Sequence, residues 1–156
     1  MAVGSTDVTI RITNSSLDYE NPNQRKFILL AISKEQVHAD LLLTSMATVT
    51  VTITDANDNV PTFDSDGYSA RVSEMAMPGT LVTTIVAKDR DSGKFGENGI
   101  IYQLTGSGAD KFIVNNRTGA VTVAECEHLG EEDCLDHETK PEYLFQFKVS
   151  ISLWSL

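Results

Sequence analysis

Asp55-Ala56-Asn57-Asp58-Asn59, followed by Val60-Pro61-Thr62-Phe63, places four oxygen-bearing side chains within five residues. It comes directly after Thr48-Val49-Thr50-Val51-Thr52-Ile53-Thr54, where apolar β-branched residues alternate with threonine. That period of two predicts a half-buried strand. The proline holds the preceding residue extended, so the strand runs into a stiff connection. Carboxylates crowded this closely repel one another unless a cation screens them, and hard oxygen ligands at this density suit calcium.

The 156 residues are enough for one full domain and part of another, and the 41 % hydrophobic content is that of a globular chain. Acidic residues outnumber basic ones 22 to 12, a formal net charge of −10. This balance argues against nucleic acid as a partner and suits a chain partly neutralised by bound cations. Met1-Ala2-Val3-Gly4-Ser5-Thr6 lacks the basic start and apolar core of a signal peptide. No apolar run approaches the roughly 20 residues of a membrane span. Asn14-Ser15-Ser16 and Asn116-Arg117-Thr118 are N-glycosylation sequons, with Asn14 and Asn116 as acceptors, and Cys126 and Cys134 lie close together. The sequence is therefore expected to be a piece of a larger exported protein.

Val8, Ile10 and Ile12 alternate with polar residues and predict a first strand. Leu17-Asp18-Tyr19-Glu20 follows, then a turn at Asn21-Pro22-Asn23 and a strand through Phe27, Leu29 and Ala31 that ends at Ala31-Ile32-Ser33. Residues 36–45 read as a loop or strand edge, before the strand of Val49, Val51 and Ile53. Beyond Phe63 the pattern restarts. Tyr68, Ala70 and Val72 alternate, Glu74 follows, and residues 81–87 form the next expected strand, ending at Lys88-Asp89-Arg90-Asp91-Ser92-Gly93. Gly96-Glu97-Asn98-Gly99 leads into Ile100-Ile101-Tyr102-Gln103-Leu104. Phe112-Ile113-Val114 and Ala120-Val121-Thr122-Val123 flank Asn115-Asn116-Arg117-Thr118-Gly119, a hairpin with glycine where positive φ is needed. Leu135-Asp136-His137-Glu138 repeats the Leu-Asp-x-Glu pattern of residues 17–20, and Tyr143, Phe145, Phe147 and Val149 alternate as a late strand.

In combination these motifs resemble the extracellular repeats of the cadherin superfamily. The linker resembles that family's DxNDNxPxF, residues 17–20 its LDRE with tyrosine for arginine, residues 87–102 its AxDxDxGxNGxxxY with extra loop residues, and residues 112–121 its FxIxxxTGxI hairpin. The resemblance runs from about Val8 to Val149. It implies an all-β fold of antiparallel Greek-key β-sandwiches: a partial repeat at 1–59, with three strands and the linker, and a repeat at 60–156 lacking its final strand. It further implies a calcium site drawing on Asp18 and Glu20, on Asp55, Asn57, Asp58 and Asn59, and on Asp89, Asp91 and the carbonyl of Asn98. Glu74, Asp136 and Glu138 would be half-sites for a following junction. Two positions depart from the pattern, since Ser33 and Ile151 stand where the family places an aspartate, which weakens any site needing that carboxylate.

The implied function is calcium-dependent cell–cell adhesion, with Ca2+ stiffening the junction between repeats. The alternative is a calcium-binding extracellular receptor or spacer module without its own adhesive surface. Partners would be calcium and other cadherin molecules, homophilic or heterophilic, on the extracellular side of the plasma membrane, through a larger anchored parent.

Other readings of the same residues are weaker. An EF-hand loop begins like Asp55-x-Asn57-x-Asn59, but Val60 takes the place of its glycine and Pro61 follows. Cys126, His128, Cys134 and His137 could form a zinc quartet, though at irregular spacing. A disulfide closing the small loop suits an oxidising compartment better, and free thiols are the remaining option. No nucleophile elbow, phosphate loop or HExxH motif occurs, so an enzyme is not expected.

Overall fold

The computed structural model describes residues 9–12, 17–34, 44–125 and 135–152. The chain divides into two compact units, Met1–Thr54 and Asp55–Leu156.

In the first unit, β1 (Lys26–Lys34) and β2 (Thr44–Thr52) pair antiparallel, with Lys26 opposite Thr52 and Lys34 opposite Thr44. A short 3-10 turn, Pro22–Gln24, precedes β1. Asn21 caps it by accepting from the Asn23 amide at 3.1 Å, and proline at the first position loses no needed hydrogen bond. Val49, Val51 and Ile53 are half-buried while their threonine neighbours are exposed, as the alternation implies. Of the strand expected through Val8 and Ile12, Val8 lies outside the described residues and residues 9–12 carry no strand; β1 and β2 pair only with each other among the described residues. Alternation marks a face, but a strand also needs a hydrogen-bonding neighbour.

The second unit is built from β3 (Thr62–Phe63), β4 (Leu81–Thr84), β5 (Ala87–Lys88), β6 (Ile100–Thr105), β7 (Phe112–Val114), β8 (Ala120–Val123) and β9 (Gln146–Ile151). All its pairings are antiparallel: β3 with β5, β4 with β8 and β8 with β7 in one three-stranded sheet, and β6 with β9. Ile85, Ala87, Ile100, Tyr102, Phe112 and Val121 form the core, and Ile85 and Val121 are 0 % and 2 % exposed. Phe112 meets Phe145 edge-on at 4.9 Å and Tyr143 at 5.5 Å, so aromatics from before β9 close this core.

Three expected strands differ. The run at 81–87 is split into β4 and β5, because β4 pairs with β8 and β5 with β3, with a register shift between Leu81 and Thr83. Residues 68–72 are not a strand, although Tyr68 and Val72 still pack against the core; the Tyr68 hydroxyl bonds Asp64 and the Val86 carbonyl. The late strand begins at Gln146 and continues to Ile151, where Ile151 pairs with Ile100.

Candidate functional site

Asp89 and Asp91 follow β5 and are 8 % and 5 % exposed, the two buried charged residues among those described. They hold the loop that follows β5. The Asp91 amide donates to Asp89 Oδ1 at 2.9 Å, and the chain then turns through Gly93, whose φ of 56° is left-handed. Gly96 packs so closely on the Asp91 carbonyl that a Cβ there would overlap it. The following 3-10 turn, Glu97–Gly99, presents Asn98.

The linker folds back onto this loop. The backbone amide of Asn59 donates to Asp91 Oδ2 at 3.2 Å, and its side-chain amide donates to Asp91 Oδ1 at 2.5 Å and to Asp58 Oδ1 at 3.1 Å. Asp55 Oδ2 accepts from the Ser92 amide at 2.8 Å. Asp55 and Asp91 each offer a carboxylate oxygen, and these lie within 4.8 Å of one another. The structure thus brings Asp55, Asp58, Asn59, Asp89 and Asp91 into one hydrogen-bonded group. Asn57 is exposed and makes no hydrogen bond among the described residues.

Two oxygens of this group are buried with no hydrogen-bond partner: Oδ1 of Asp55 and Oδ2 of Asp89. Nor is there an ion pair to any of these carboxylates among the described residues. A buried carboxylate oxygen without donor or counter-charge is strongly unfavourable. A hard divalent cation with oxygen ligands supplies what these atoms lack, so the donor set fits calcium. Beside this loop, the Arg117 guanidinium donates to the carbonyl oxygen of Asn98 at 3.4 Å. Neither the Ser92–Asp55 bond nor the Arg117 contact is written in the sequence, where Arg117 figures only as the middle residue of a sequon.

In the first unit, Asp18 Oδ1 accepts from the Glu20 amide at 2.9 Å, while the Asp18 amide donates to Gln24 Oε1 at 2.9 Å. Elsewhere in the second unit, Glu74, Asp136 and Glu138 present carboxylate oxygens within 4.8 Å of one another. Glu74 Oε2 accepts from the His137 amide at 2.8 Å. Asp136 accepts from the Thr139 hydroxyl and amide and from the Glu138 amide. These bonds, the Thr139 hydroxyl first, hold its carboxyl below the usual range. The cluster borders a cleft of about 420 Å³ that Arg71 and Lys140 also line.

Asn116 is exposed on the β7–β8 turn. Cys126, Cys134 and Asn14 lie outside the described residues, as does His128 of the alternative zinc quartet. Ile151, in the position where the resemblance expects an aspartate, is half-buried, with a methyl group beside Gly99.

No family model matches the chain. It is 49 % identical over 133 residues to Cadherin-87A of Drosophila melanogaster, covering 85 % of this chain and 7 % of that protein. It is 35 % identical over 147 residues to Cadherin-related family member 1 of Gallus gallus, covering 94 % of this chain and 16 % of that one. The chain therefore spans less than a fifth of the length of these relatives. Among solved structures it superposes on the Protocadherin GammaB4 extracellular domain with a TM-score of 0.70 at 30 % identity, covering 88 % of this chain and 19 % of that one. Mouse clustered PcdhgC3 EC1-3 gives a TM-score of 0.68 at 29 % identity, over 85 % and 40 %. These neighbours are antiparallel β-sandwich repeats of adhesion proteins rather than enzymes. With the linker, the loop after β5 and the hairpin all in the expected places, the chain belongs to the cadherin superfamily, as extracellular-repeat sequence.

Proposed function

We propose that this chain is a calcium-stiffened segment of an extracellular, adhesion-related protein, and that Asp55, Asp89 and Asp91 are the centre of its calcium site. The observation that supports this most is the pair of buried, partnerless carboxylate oxygens on Asp55 and Asp89. Asn57, Asp58, Asn59 and the Asn98 carbonyl complete the ligand set in the second unit. Asp18 and Glu20 join it on the strength of the sequence resemblance alone. Bound calcium supplies positive charge where the linker's own carboxylates repel, so the linker and the loop after β5 are held as one piece. The group at Glu74, Asp136 and Glu138 is assigned as the half-site of a following junction. Adhesion itself, through other cadherin molecules, belongs in this reading to the longer protein.

Equilibrium dialysis of the full chain against calcium tests the reading. Saturable uptake is expected, and Asp91→Asn is expected to lower its affinity at least tenfold, because affinity follows ligand charge. Absence of saturable uptake by the unaltered chain would overturn it.

Arg117 gives a second expectation. Its guanidinium is held against the Asn98 carbonyl, so it competes with a cation for that oxygen. Because calcium carries two charges, one unit charge about 6 Å away in water is worth roughly 1.4 kcal/mol, about tenfold in affinity. Arg117→Ala is therefore expected to bind calcium more tightly by roughly that factor, measured in the same dialysis. Unchanged affinity would mean the side chain moves aside at no cost.

A further inference from the structure

The sequon Asn116-Arg117-Thr118 is the single one among the described residues, and it occupies the turn between β7 and β8. The neighbouring Asn115 holds that turn. Its Oδ1 accepts from the amides of Arg117 at 2.9 Å and Thr118 at 3.0 Å, its amide donates to the Ala120 carbonyl at 2.7 Å, and its carbonyl accepts from the Gly119 amide at 2.9 Å. Asn116 contributes only its backbone carbonyl, which accepts from the Tyr102 amide at 2.9 Å. Its side chain is exposed and makes no hydrogen bond among the described residues. The Thr118 hydroxyl, also exposed, accepts one long bond of 3.4 Å from the Ala120 amide. The finished fold therefore needs nothing from the Asn116 amide and leaves it in solvent.

We propose that Asn116 carries an N-linked oligosaccharide. In the transfer, a bond forms between Asn116 Nδ2 and the anomeric carbon of a lipid-diphosphate-linked oligosaccharide. The bond from that carbon to the diphosphate oxygen breaks, the lipid diphosphate leaves with the electron pair, and the amide proton passes to a base of the transferase. No oxidant or reductant enters. The sugar emerges one residue from Arg117, whose guanidinium touches the Asn98 carbonyl, so the glycan flanks the proposed calcium site. The inference rests on the extracellular assignment and is independent of whether calcium binds.

The test directs the full chain into the secretory pathway of a mammalian host. The readout is the mass of total cell-plus-medium protein before and after an N-glycan amidase, because attachment occurs in the lumen before export. Asn14→Gln is included throughout to remove the other sequon. One oligosaccharide is expected in this background, retained in Thr118→Ser and lost in both Asn116→Gln and Thr118→Val. An Asn14→Gln chain that enters the lumen, shown by removal of its leader, yet carries no amidase-sensitive mass would overturn the proposal. So would a mass increment that survives Asn116→Gln. Calcium dialysis of the same material separates the two readings: loss of calcium uptake with the glycan present would sink the calcium site and leave this assignment standing.

Discussion

With calcium a hundredfold above its dissociation constant, replacing it by chelator is expected to lower the stability of the chain by about 2.7 kcal/mol. In a unit the size of Asp55–Leu156, about 100 residues, that corresponds to roughly 10–20 °C in Tm. Asp89→Asn separates a metal role from a packing role. Asp89 is buried, and its Oδ2 has no partner. Without calcium, that carboxylate is an uncompensated buried charge beside Asp91, so removing the charge is expected to leave the chain as stable or to raise its stability. The bond from the Asp91 amide to Oδ1 survives, since asparagine keeps a carbonyl oxygen there. With calcium, the variant loses a charged ligand and with it most of the 2.7 kcal/mol. Thermal melts of both proteins, in calcium and in chelator, measure this crossing. An equal loss in both conditions would make Asp89 a structural residue and nothing more.

The second large effect is expected at Gly119. Its φ is 70°, a conformation that costs an L-residue on the order of 1–2 kcal/mol. A Cβ there would also overlap the carbonyl oxygen of Ile85, and the Gly119 carbonyl accepts from the Ile85 amide at 2.9 Å. Gly119→Ala must push the β7–β8 hairpin away from Ile85, losing a hydrogen bond of about 0.5–1.5 kcal/mol and opening the core at its most buried side chain. The total is expected at about 3 kcal/mol or more. Gly79 is the control: its φ is 83°, but a Cβ there would meet nothing within 4 Å, so Gly79→Ala should show the conformational cost alone. Urea denaturation of both variants decides it, and equal losses would show that the contact with Ile85 is not limiting.

What could be seen in the sequence and what could not follow from how each feature is encoded. Alternation in residues 48–54 revealed the half-buried face of β2, because side-chain direction depends only on period. The glycine of the β7–β8 turn was legible for a similar reason, since positive φ is a local demand. Residues 68–72 misled because Tyr68 and Val72 face the core without a neighbouring strand. The break between β4 and β5 was invisible because it reflects which distant strand each half pairs with. At the candidate site, residue types and spacing pointed to the linker oxygens of Asp55 and Asn59, and the family resemblance added Asp89 and Asp91. The bond from Ser92 to Asp55, 37 residues apart, and the reach of Arg117 to Asn98, 19 apart, exist only once the chain has folded.

The central claim is that the partnerless oxygens of Asp55 and Asp89 are calcium ligands, and diffraction from crystals grown in calcium tests it most directly. The account predicts calcium ions at the linker, with Asp55 Oδ1 and Asp89 Oδ2 each bonded to one at about 2.3–2.6 Å. Well-ordered electron density in saturating calcium that shows both oxygens satisfied by water or by a protein donor, with no ion bonded to either, would contradict it.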